Sequence, residues 1–282
     1  MTILITGATG NVGRPLIDHL LTAGAHVCAV TRDPDSANLP AAVKVVASPF
    51  DGLSGATALF VNSRALGDQM AALIQAAADA GVRRIVALSA INADDDDARQ
   101  PSRFRGDRNR EADQLAVGSG IPWVSLRPTL FASNFLGMWA SQIRAGDVVY
   151  GPYAGASLAP IADADISAVA AHAFLTDDVL EQRVPLTGPQ ALTNTELVDV
   201  IGTVLCRTLR YQEVPATVFS DRFAEMGFPE GFSDAYLAML APTVEHAAVV
   251  THDVEKILDR PATSFRDWVT AHRQAFAAGP SL

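Results

Sequence analysis

The fold is decided by a glycine-rich stretch near the start of the chain, Gly7-Ala8-Thr9-Gly10-Asn11-Val12-Gly13. It directly follows the apolar run Ile3-Leu4-Ile5 and directly precedes a helical pattern that begins near Arg14. A diphosphate needs backbone N–H donors and the positive end of a helix dipole close to it, with no Cβ in the way. Glycine-rich turns are common, but here a second strand over residues 26–30 follows a crossover of helix length. The stretch therefore predicts a dinucleotide-binding site.

The composition is typical of a compact globular protein. Of the 282 residues, 49% are hydrophobic and 18% are charged, which is enough core for one large α/β domain with or without a smaller lobe. The formal net charge of −10 argues against nucleic acid as a partner, because phosphate backbones are bound by basic faces. No apolar run reaches the roughly 20 residues that a membrane span needs, so we expect no membrane partner.

The cysteines and the first residues indicate the compartment. Cys28 and Cys206 both lie in apolar stretches, where we expect buried thiols of a reducing environment. Met1 leads directly into the first strand, so no signal peptide is expected. We therefore expect a cytoplasmic protein, either a monomer or a homodimer.

Strands and helices alternate along the first part of the chain. This order is typical of a parallel sheet with right-handed crossovers, and the predicted fold class is α/β with a Rossmann-type doubly wound parallel sheet. The predicted strands cover residues 2–6, 26–31, 43–47, 57–62, 84–89 and 123–127, and the predicted helices cover 11–23, 66–80 and 104–118.

After Pro128 the alternation loosens, and no linker or internal repeat divides the chain. We therefore expect a smaller C-terminal α/β lobe that is interleaved with the sheet. The predicted domains are residues 1–130, an NAD(P)-binding Rossmann domain, and 131–282, a substrate-binding lobe. The predicted elements are helices 133–145, 166–176 (capped by Asp165) and 193–206, strands 148–150, 183–187 and 209–214, and two or three further helices.

Four consecutive aspartates, Asp94 to Asp97, lie in the loop before helix 104–118. Adjacent carboxylates repel each other and no ordered ligand spacing surrounds them, so we expect a mobile, solvated loop and no metal site. Five arginines border the same region. Most are expected to be solvated counterions of the aspartates, although one could bind an anionic substrate. They are Arg99, Arg103, Arg105, Arg108 and Arg110.

Short segments spread over most of the chain carry a family resemblance. They lie at residues 6–13, 30–34, 80–86, 119–123, 126–128, 193–197 and 260–265. Together they resemble the NmrA-like family of atypical short-chain dehydrogenases and reductases. The resemblance implies an NADPH-dependent quinone or dye reductase, or a cofactor-binding regulator that does no chemistry.

The end of the second strand distinguishes NAD from NADP. An acidic side chain there binds the ribose 2′-hydroxyl, whereas an arginine pairs with a 2′-phosphate. The strand ends at Thr31-Arg32, with Asp33 next to it. The resemblance assigns the phosphate to Arg32, so NADP(H) is expected rather than NAD(H). The alternative is an ordinary surface arginine.

The resemblance also implies the remaining cofactor contacts. Asn62 and Ser63 should lie beside the adenine ribose and diphosphate. The family usually has an aspartate near the adenine amine after strand three, where this chain has Ser48-Pro49, so the adenine contacts are expected to differ. Against the nicotinamide we expect Pro128, Thr129, Leu130 and Phe131, and in the glycine turn the expected contacts are Gly7, Thr9, Gly10, Asn11, Val12 and Gly13.

The small number of lysines excludes the tyrosine–lysine pair that short-chain dehydrogenases use. There a tyrosine donates the proton and a lysine three residues further on lowers its pKa, but the only lysines here are Lys44 and Lys256, and neither follows a tyrosine at that spacing. The remaining candidates are Ser89, which ends strand five, and Asn109. Asparagine can orient a carbonyl but is not an acid near neutral pH. Ser89 could bind a substrate oxygen, hold a water or cap its strand.

A quinone or another conjugated acceptor needs no protein acid, because water can protonate its stabilised oxyanion. The protein then has to hold a flat apolar substrate in a dry pocket. Suitable side chains cluster after residue 131, although ordinary core packing is the alternative. They are Phe135, Met138, Trp139, Tyr150 and Tyr153.

Three functions follow from these observations. The first is an NADPH-dependent reductase of a quinone-like or conjugated carbonyl compound. The second is a non-catalytic NADP(H)-sensing regulator, which the missing tyrosine–lysine pair favours. The third is a pathway enzyme whose bound cofactor assists a non-redox step.

Overall fold

A seven-stranded parallel sheet forms the centre of this computed structural model, which describes residues 1–277. Residues 278–282 of the predicted C-terminal domain lie outside the described residues. The strands are β1 (Thr2–Ile5), β2 (His26–Val30), β3 (Lys44–Val46), β4 (Ala58–Asn62), β5 (Ile85–Leu88), β6 (Trp123–Pro128), β7 (Val148–Gly151), β8 (Ser157–Leu158), β9 (Gln182–Leu186), β10 (Leu192–Thr193) and β11 (Arg210–Glu213).

Helices cover both faces of the sheet and form most of the C-terminal part. They are α1 (Gly13–Thr22), α2 (Ser63–Leu66), α3 (Met70–Asp79), α4 (Pro101–Phe104), α5 (Asn109–Gly118), α6 (Asn134–Ala145), α7 (Asp163–Leu175), α8 (Asn194–Leu205), α9 (Ala216–Glu225), α10 (Phe232–Leu240), α11 (Asp253–Leu258), α12 (Phe265–Ala271) and α13 (Arg273–Ala277). Within the described residues, no helix combines the length and the apolar character that a membrane span requires.

The strand order of the central sheet is β3-β2-β1-β4-β5-β6-β9, with every neighbouring pair parallel. The predicted Rossmann-type sheet is thereby confirmed. The chain winds outward from β1 in both directions, so the order reverses between β1 and β4. In sheets of this kind, ligands bind outside the carboxyl ends of the strands at that switch point.

The C-terminal half contributes to the sheet as well as to a lobe of its own. Strand β9 pairs with β6, and α7 packs against α1. The other late elements form the lobe, in which β7 pairs with β11 and β8 with β10. The predicted interleaving is therefore confirmed, while the domain boundary at residues 130 and 131 stays a prediction.

Two predicted helices are shorter than expected because the backbone breaks them. Gly106 has a φ of +93° and Arg108 has non-helical angles, so α5 begins at Asn109 and not at residue 104. Gly67 has a φ of +52°, which separates α2 from α3. After β11 the described residues contain five α-helices rather than two or three.

Two single-residue predictions were wrong. Cys28 is buried as expected, but Cys206 is exposed, since it follows α8 in a left-handed conformation. Asp165 does not cap α7, which begins two residues earlier at Asp163. Instead, the buried Asp165 carboxylate accepts hydrogen bonds from Arg260 at 2.7 Å and from the backbone N–H of Thr263 at 2.7 Å. It thereby ties the segment before α12 to α7.

Replacing Asp165 by Asn should lower the free energy of unfolding by about 2 kcal/mol, because the amide places a donor against donors of Arg260 and Thr263. Urea denaturation measures the change. The matched control is Asp177→Asn, whose side chain is 80% exposed in its ion pair with Arg84, so the loss there should stay below about 1 kcal/mol. Equal effects of the two substitutions would contradict the assigned role of Asp165.

Candidate cofactor and active site

The glycine turn after β1 leaves no room for side chains. Gly7 has a φ of +69°, and its carbonyl accepts the N–H of Gly10 at 3.1 Å. A Cβ on Gly13 would lie 2.2 Å from the Gly7 carbonyl oxygen, and a Cβ on Gly7 would lie 2.8 Å from Nδ2 of Asn62. Helix α1 begins at this turn without a side-chain cap. In this first turn the Arg14 N–H donates to the Gly10 carbonyl at 3.1 Å and Pro15 has no N–H, so the Gly13 N–H is the group that the described residues leave available to an anion.

A hydroxyl joins this turn to the next strand of the sheet. Thr6 Oγ1 donates to the Phe60 carbonyl at 2.8 Å and accepts the N–H of Asn62 at 2.8 Å. The predicted residues of the glycine turn and Asn62 thus meet at the switch point, and this cradle fits a dinucleotide diphosphate. Ser63 is buried, and its Oγ accepts the N–H of Arg108 at 3.0 Å, so it holds the start of α5.

The end of β2 presents Arg32 as an exposed side chain. The neighbouring Asp33 carboxylate is engaged locally, since it accepts the N–H of Ser36, and hydrogen bonds from Ser36 lower its pKa. Arg14, on the first turn of α1, donates to the carbonyls of Ala37 at 2.9 Å and Asn38 at 2.7 Å. The loop that carries Arg32 is therefore fastened to the glycine-turn helix.

The predicted nicotinamide segment, residues 128–131, joins the sheet to the lobe. The N–H of Thr129 donates to Leu186 at 2.9 Å and its hydroxyl donates to Ala159 at 2.6 Å. Phe131 pairs with Ile161 through an isolated bridge. Leu130 and Phe131 are half-buried. The segment is thus fixed at the carboxyl edge of the sheet.

A chain of polar side chains connects the glycine turn to α6 and α7. Asn11 Nδ2 donates to Ser133 Oγ at 3.1 Å, and Ser133 Oγ donates to Asp163 Oδ1 at 2.7 Å. Burial raises the pKa of Asp163. Ser167 Oγ also donates to the Val12 carbonyl at 2.9 Å. Sequence reasoning missed this network because its bonded partners lie 30, 122 and 155 residues apart.

The two predicted catalytic residues lie together. The buried Ser89 hydroxyl donates to the Asn109 backbone carbonyl at 2.9 Å. Asn109 Nδ2 donates to Ser102 Oγ at 3.2 Å. Because the proton of Ser89 is used in this bond, the contact favours the interpretation of Ser89 as a cap for its strand. Its lone pairs and the Asn109 amide oxygen remain as groups that could meet a substrate.

The predicted aromatic pocket is divided by the fold. Phe135 is fully buried and packs on Trp139 and Phe265 at centroid distances of 4.5 and 5.1 Å, so it belongs to the core of the lobe. Tyr153 is half-buried with a φ of +47°. Met138, Trp139 and Tyr150 line one small cavity of about 20 Å³ with Tyr211, Phe219, Phe223 and Tyr236. That volume holds about one water molecule.

The aspartate loop is solvated as expected, since Asp94 and Asp97 are exposed, and arginines serve as its counterions. Its mobility stays a prediction. Within residues 1–277, no cluster of three or more His, Cys, Asp or Glu side chains is placed to hold a metal ion. The ion pairs join Asp94 to Arg127 at 2.5 Å, Asp95 to Arg99 at 3.6 Å, and Asp97 to Arg103 at 3.3 Å and Arg110 at 3.0 Å.

Residues 7–175, more than half of the chain, match the family described as NAD(P)H-binding. This range contains the glycine turn, the switch point and the segment after β6. The chain belongs to this NAD(P)H-binding family.

Two relatives span the chain. It is 35% identical over 287 residues to (4-alkanoyl-5-oxo-2,5-dihydrofuran-3-yl)methyl phosphate reductase of Streptomyces griseus, covering 98% of this chain and 99% of that protein. It is 32% identical over 290 residues to an NAD(P)H azoreductase of Xenophilus azovorans, with 98% and 99% covered. Together with the family, these reductases confirm the predicted class of enzyme, an NAD(P)H-dependent oxidoreductase.

The fold is also that of an NADPH-dependent quinone oxidoreductase from Escherichia coli, solved in complex with NADPH. The TM-score is 0.81 at 23% identity, and the match covers 96% of this chain and 99% of that chain. At this identity the likeness concerns the fold alone. Together with the family match, it confirms the predicted resemblance to NmrA-like reductases.

Replacing Gly13 by Ala should weaken NADP(H) binding by on the order of tenfold to a hundredfold, because the new Cβ displaces the Gly7 carbonyl and with it the phosphate cradle. Fluorescence titration with NADPH measures this loss. The control is Gly118→Ala, since a Cβ there meets nothing within 4 Å. An unchanged affinity in Gly13→Ala would rule out the turn as the diphosphate site.

Replacing Asp163 by Asn should change how stability depends on pH. Because burial raises the pKa of Asp163, the folded protein holds this proton more tightly than the unfolded chain does. The wild type should therefore lose stability relative to Asp163→Asn as pH rises from about 4, the ordinary Asp pKa, through the raised value. Urea unfolding between pH 4 and 8 tests this, with exposed Asp18→Asn as control. A pH-independent difference would contradict it.

Proposed function

We propose that the protein is an NADPH-dependent reductase that transfers hydride to a quinone-like or conjugated carbonyl small molecule without a tyrosine–lysine pair. The observation that carries the proposal is the turn in which Gly7 and Gly13 have no room for a Cβ, together with an exposed Arg32 at the end of the neighbouring strand β2. Both relatives that match over nearly their full length are reductases. The name of the first describes an unsaturated furanone phosphate, and the name of the second describes azo compounds. A small conjugated acceptor is consistent with both.

The choice of NADP(H) rests on the charges at the end of β2. Gly7, Gly10 and Gly13 would hold the diphosphate, and Arg32 would pair with the 2′-phosphate. Asp33 Oδ1 accepts the N–H of Ser36, so part of this carboxylate is engaged within its own loop. When bound, the reduced nicotinamide supplies the hydride.

The residues of the cleft suit substrate orientation better than proton donation. The second N–H of the Asn109 amide can donate to a substrate oxygen, whereas the Ser89 hydroxyl already donates its proton to the Asn109 carbonyl. Neither group is an acid near neutral pH. Burial raises the pKa values of Tyr211 and Tyr236 in the lobe, which makes both poorer acids. We infer that water protonates the reduced acceptor, as conjugation of its oxyanion allows.

A second candidate is a regulator that binds NADP(H) without turnover. The observation that favours it is the volume of the aromatic cavity, about 20 Å³, which is far below the roughly 300 Å³ or more of ordinary ligand pockets. A reductase would need the lobe to open when its substrate enters.

The test compares NADPH and NADH oxidation with a panel of quinones, azo dyes and conjugated ketones. We expect turnover with at least one acceptor and a preference for NADPH that Arg32→Ala reduces about tenfold or more, because a charge-assisted phosphate contact is lost. Exposed Arg273→Ala, in α13, is the matched control. Tight NADPH binding with no turnover would favour the regulator, and an unchanged preference in Arg32→Ala would remove its assigned role.

A further inference from the structure

The five arginines around the aspartate loop differ in what they contact. Four are engaged by protein groups. Arg99 pairs with Asp95, Arg103 with Glu111 and Asp97, Arg110 with Asp97, and Arg108 donates to the carbonyls of Arg103 and Asp107. In the described part of the chain, Arg105 is the one of the five whose guanidinium makes neither an ion pair nor a hydrogen bond.

Arg105 nevertheless has an ordered position. Its Cζ lies 5.2 Å from the centroid of the Phe228 ring. Partial burial and the charge of nearby Arg64 lower the pKa of Arg105. The Asp107 carboxylate, whose charge acts on the Arg105 pKa in the opposite sense, is bound by Arg64 through both of its oxygens. Arg105 therefore carries a positive charge that no carboxylate of the described residues pairs, on a protein that is acidic overall.

Both arginines lie in segments that border residues of the candidate site. Arg64 directly follows Ser63, whose hydroxyl holds the start of α5, and Arg105 lies in the link between α4 and α5 that leads to Asn109. Phe228 comes from the link between α9 and α10 in the lobe, and Phe104 contacts the neighbouring Gly231. The charge thus lies between the cofactor side of the sheet and the lobe, beside the candidate catalytic residues.

We propose that Arg105 forms an anion subsite that binds a phosphate or a similar oxyanion carried by the substrate. The Arg105 guanidinium lies over the Phe228 ring and its N–H groups donate to no protein group of the described residues. They are therefore available to an oxyanion, which a guanidinium can bind through two parallel hydrogen bonds. The proposal rests on the proposed function, since it assigns an anionic group to the substrate of that reductase. The substrate is then flat and conjugated at one end and charged at the other.

The binding test uses inorganic phosphate as the probe and calorimetry as the readout. Saturating NADP+ is present, so that the glycine turn is occupied. We expect Arg105→Ala to weaken phosphate binding about tenfold or more, because a charge-assisted contact is lost, and Arg105→Lys to retain part of it. Arg99→Ala, an arginine that already has a carboxylate partner, should bind as the wild type does. Equal affinity in wild type and Arg105→Ala, or no binding to wild type, overturns the subsite.

A turnover test separates the subsite from the proposed function. The acceptors are 1,4-naphthoquinone and its 2-sulfonate, which differ in one anionic group. Arg105→Ala should raise the KM for the sulfonate about tenfold, by the same loss of a charged contact, and leave kcat/KM for the neutral quinone unchanged. If both acceptors are reduced equally well by wild type and variant, the subsite is wrong and the reductase stands. If neither is reduced while phosphate still binds through Arg105, the reductase is wrong and the subsite stands.

Discussion

The close approach of Gly13 to the Gly7 carbonyl is the constraint on which the rest of the site depends. Because α1 starts directly beneath the turn, its N-terminus is fixed relative to the end of β1, and the Thr6 hydroxyl fixes β4 against both. Helix α7 packs on α1, and Ser167 bonds the Val12 carbonyl at the same turn. Helix α7 and the glycine turn are therefore fixed against each other, although Val12 and Ser167 lie 155 residues apart in the sequence.

The parts of the fold that the sequence predicts are those determined by short-range patterns. Buried apolar runs and the glycine spacing were sufficient for β1, β2 and the doubly wound sheet. The start of α5 was not predictable, because it depends on a distant hydroxyl. Ser63 Oγ accepts the N–H of Arg108, the last residue of the non-helical link before α5. Asp165 was misinterpreted for the same reason, since its partners Arg260 and Thr263 lie 95 and 98 residues away.

The ion pairs of the candidate site could not be predicted from the sequence either. Sequence composition identified an acidic loop and five nearby arginines but could not pair them, because the geometry comes from the fold. Asp94 is bound by Arg127 at the end of β6, a partner 33 residues away in another element. Once those pairs are known, Arg105 differs from the other four arginines because its guanidinium has no ion pair and no hydrogen bond in the described residues. For the aromatic residues after 131, local clustering was equally compatible with core packing, and Phe135 took that role.

Strand β9 has a further consequence for the chain as a whole. Strand β9 follows both α6 and α7 in the sequence. Without the C-terminal half, the sheet would therefore end at β6, and the outer edge of β6 would have a row of unpaired backbone groups. The two halves are therefore not interchangeable modules that could be separated or recombined. A ligand that binds only the folded glycine turn would therefore also stabilise the C-terminal elements that complete the sheet, by mass action.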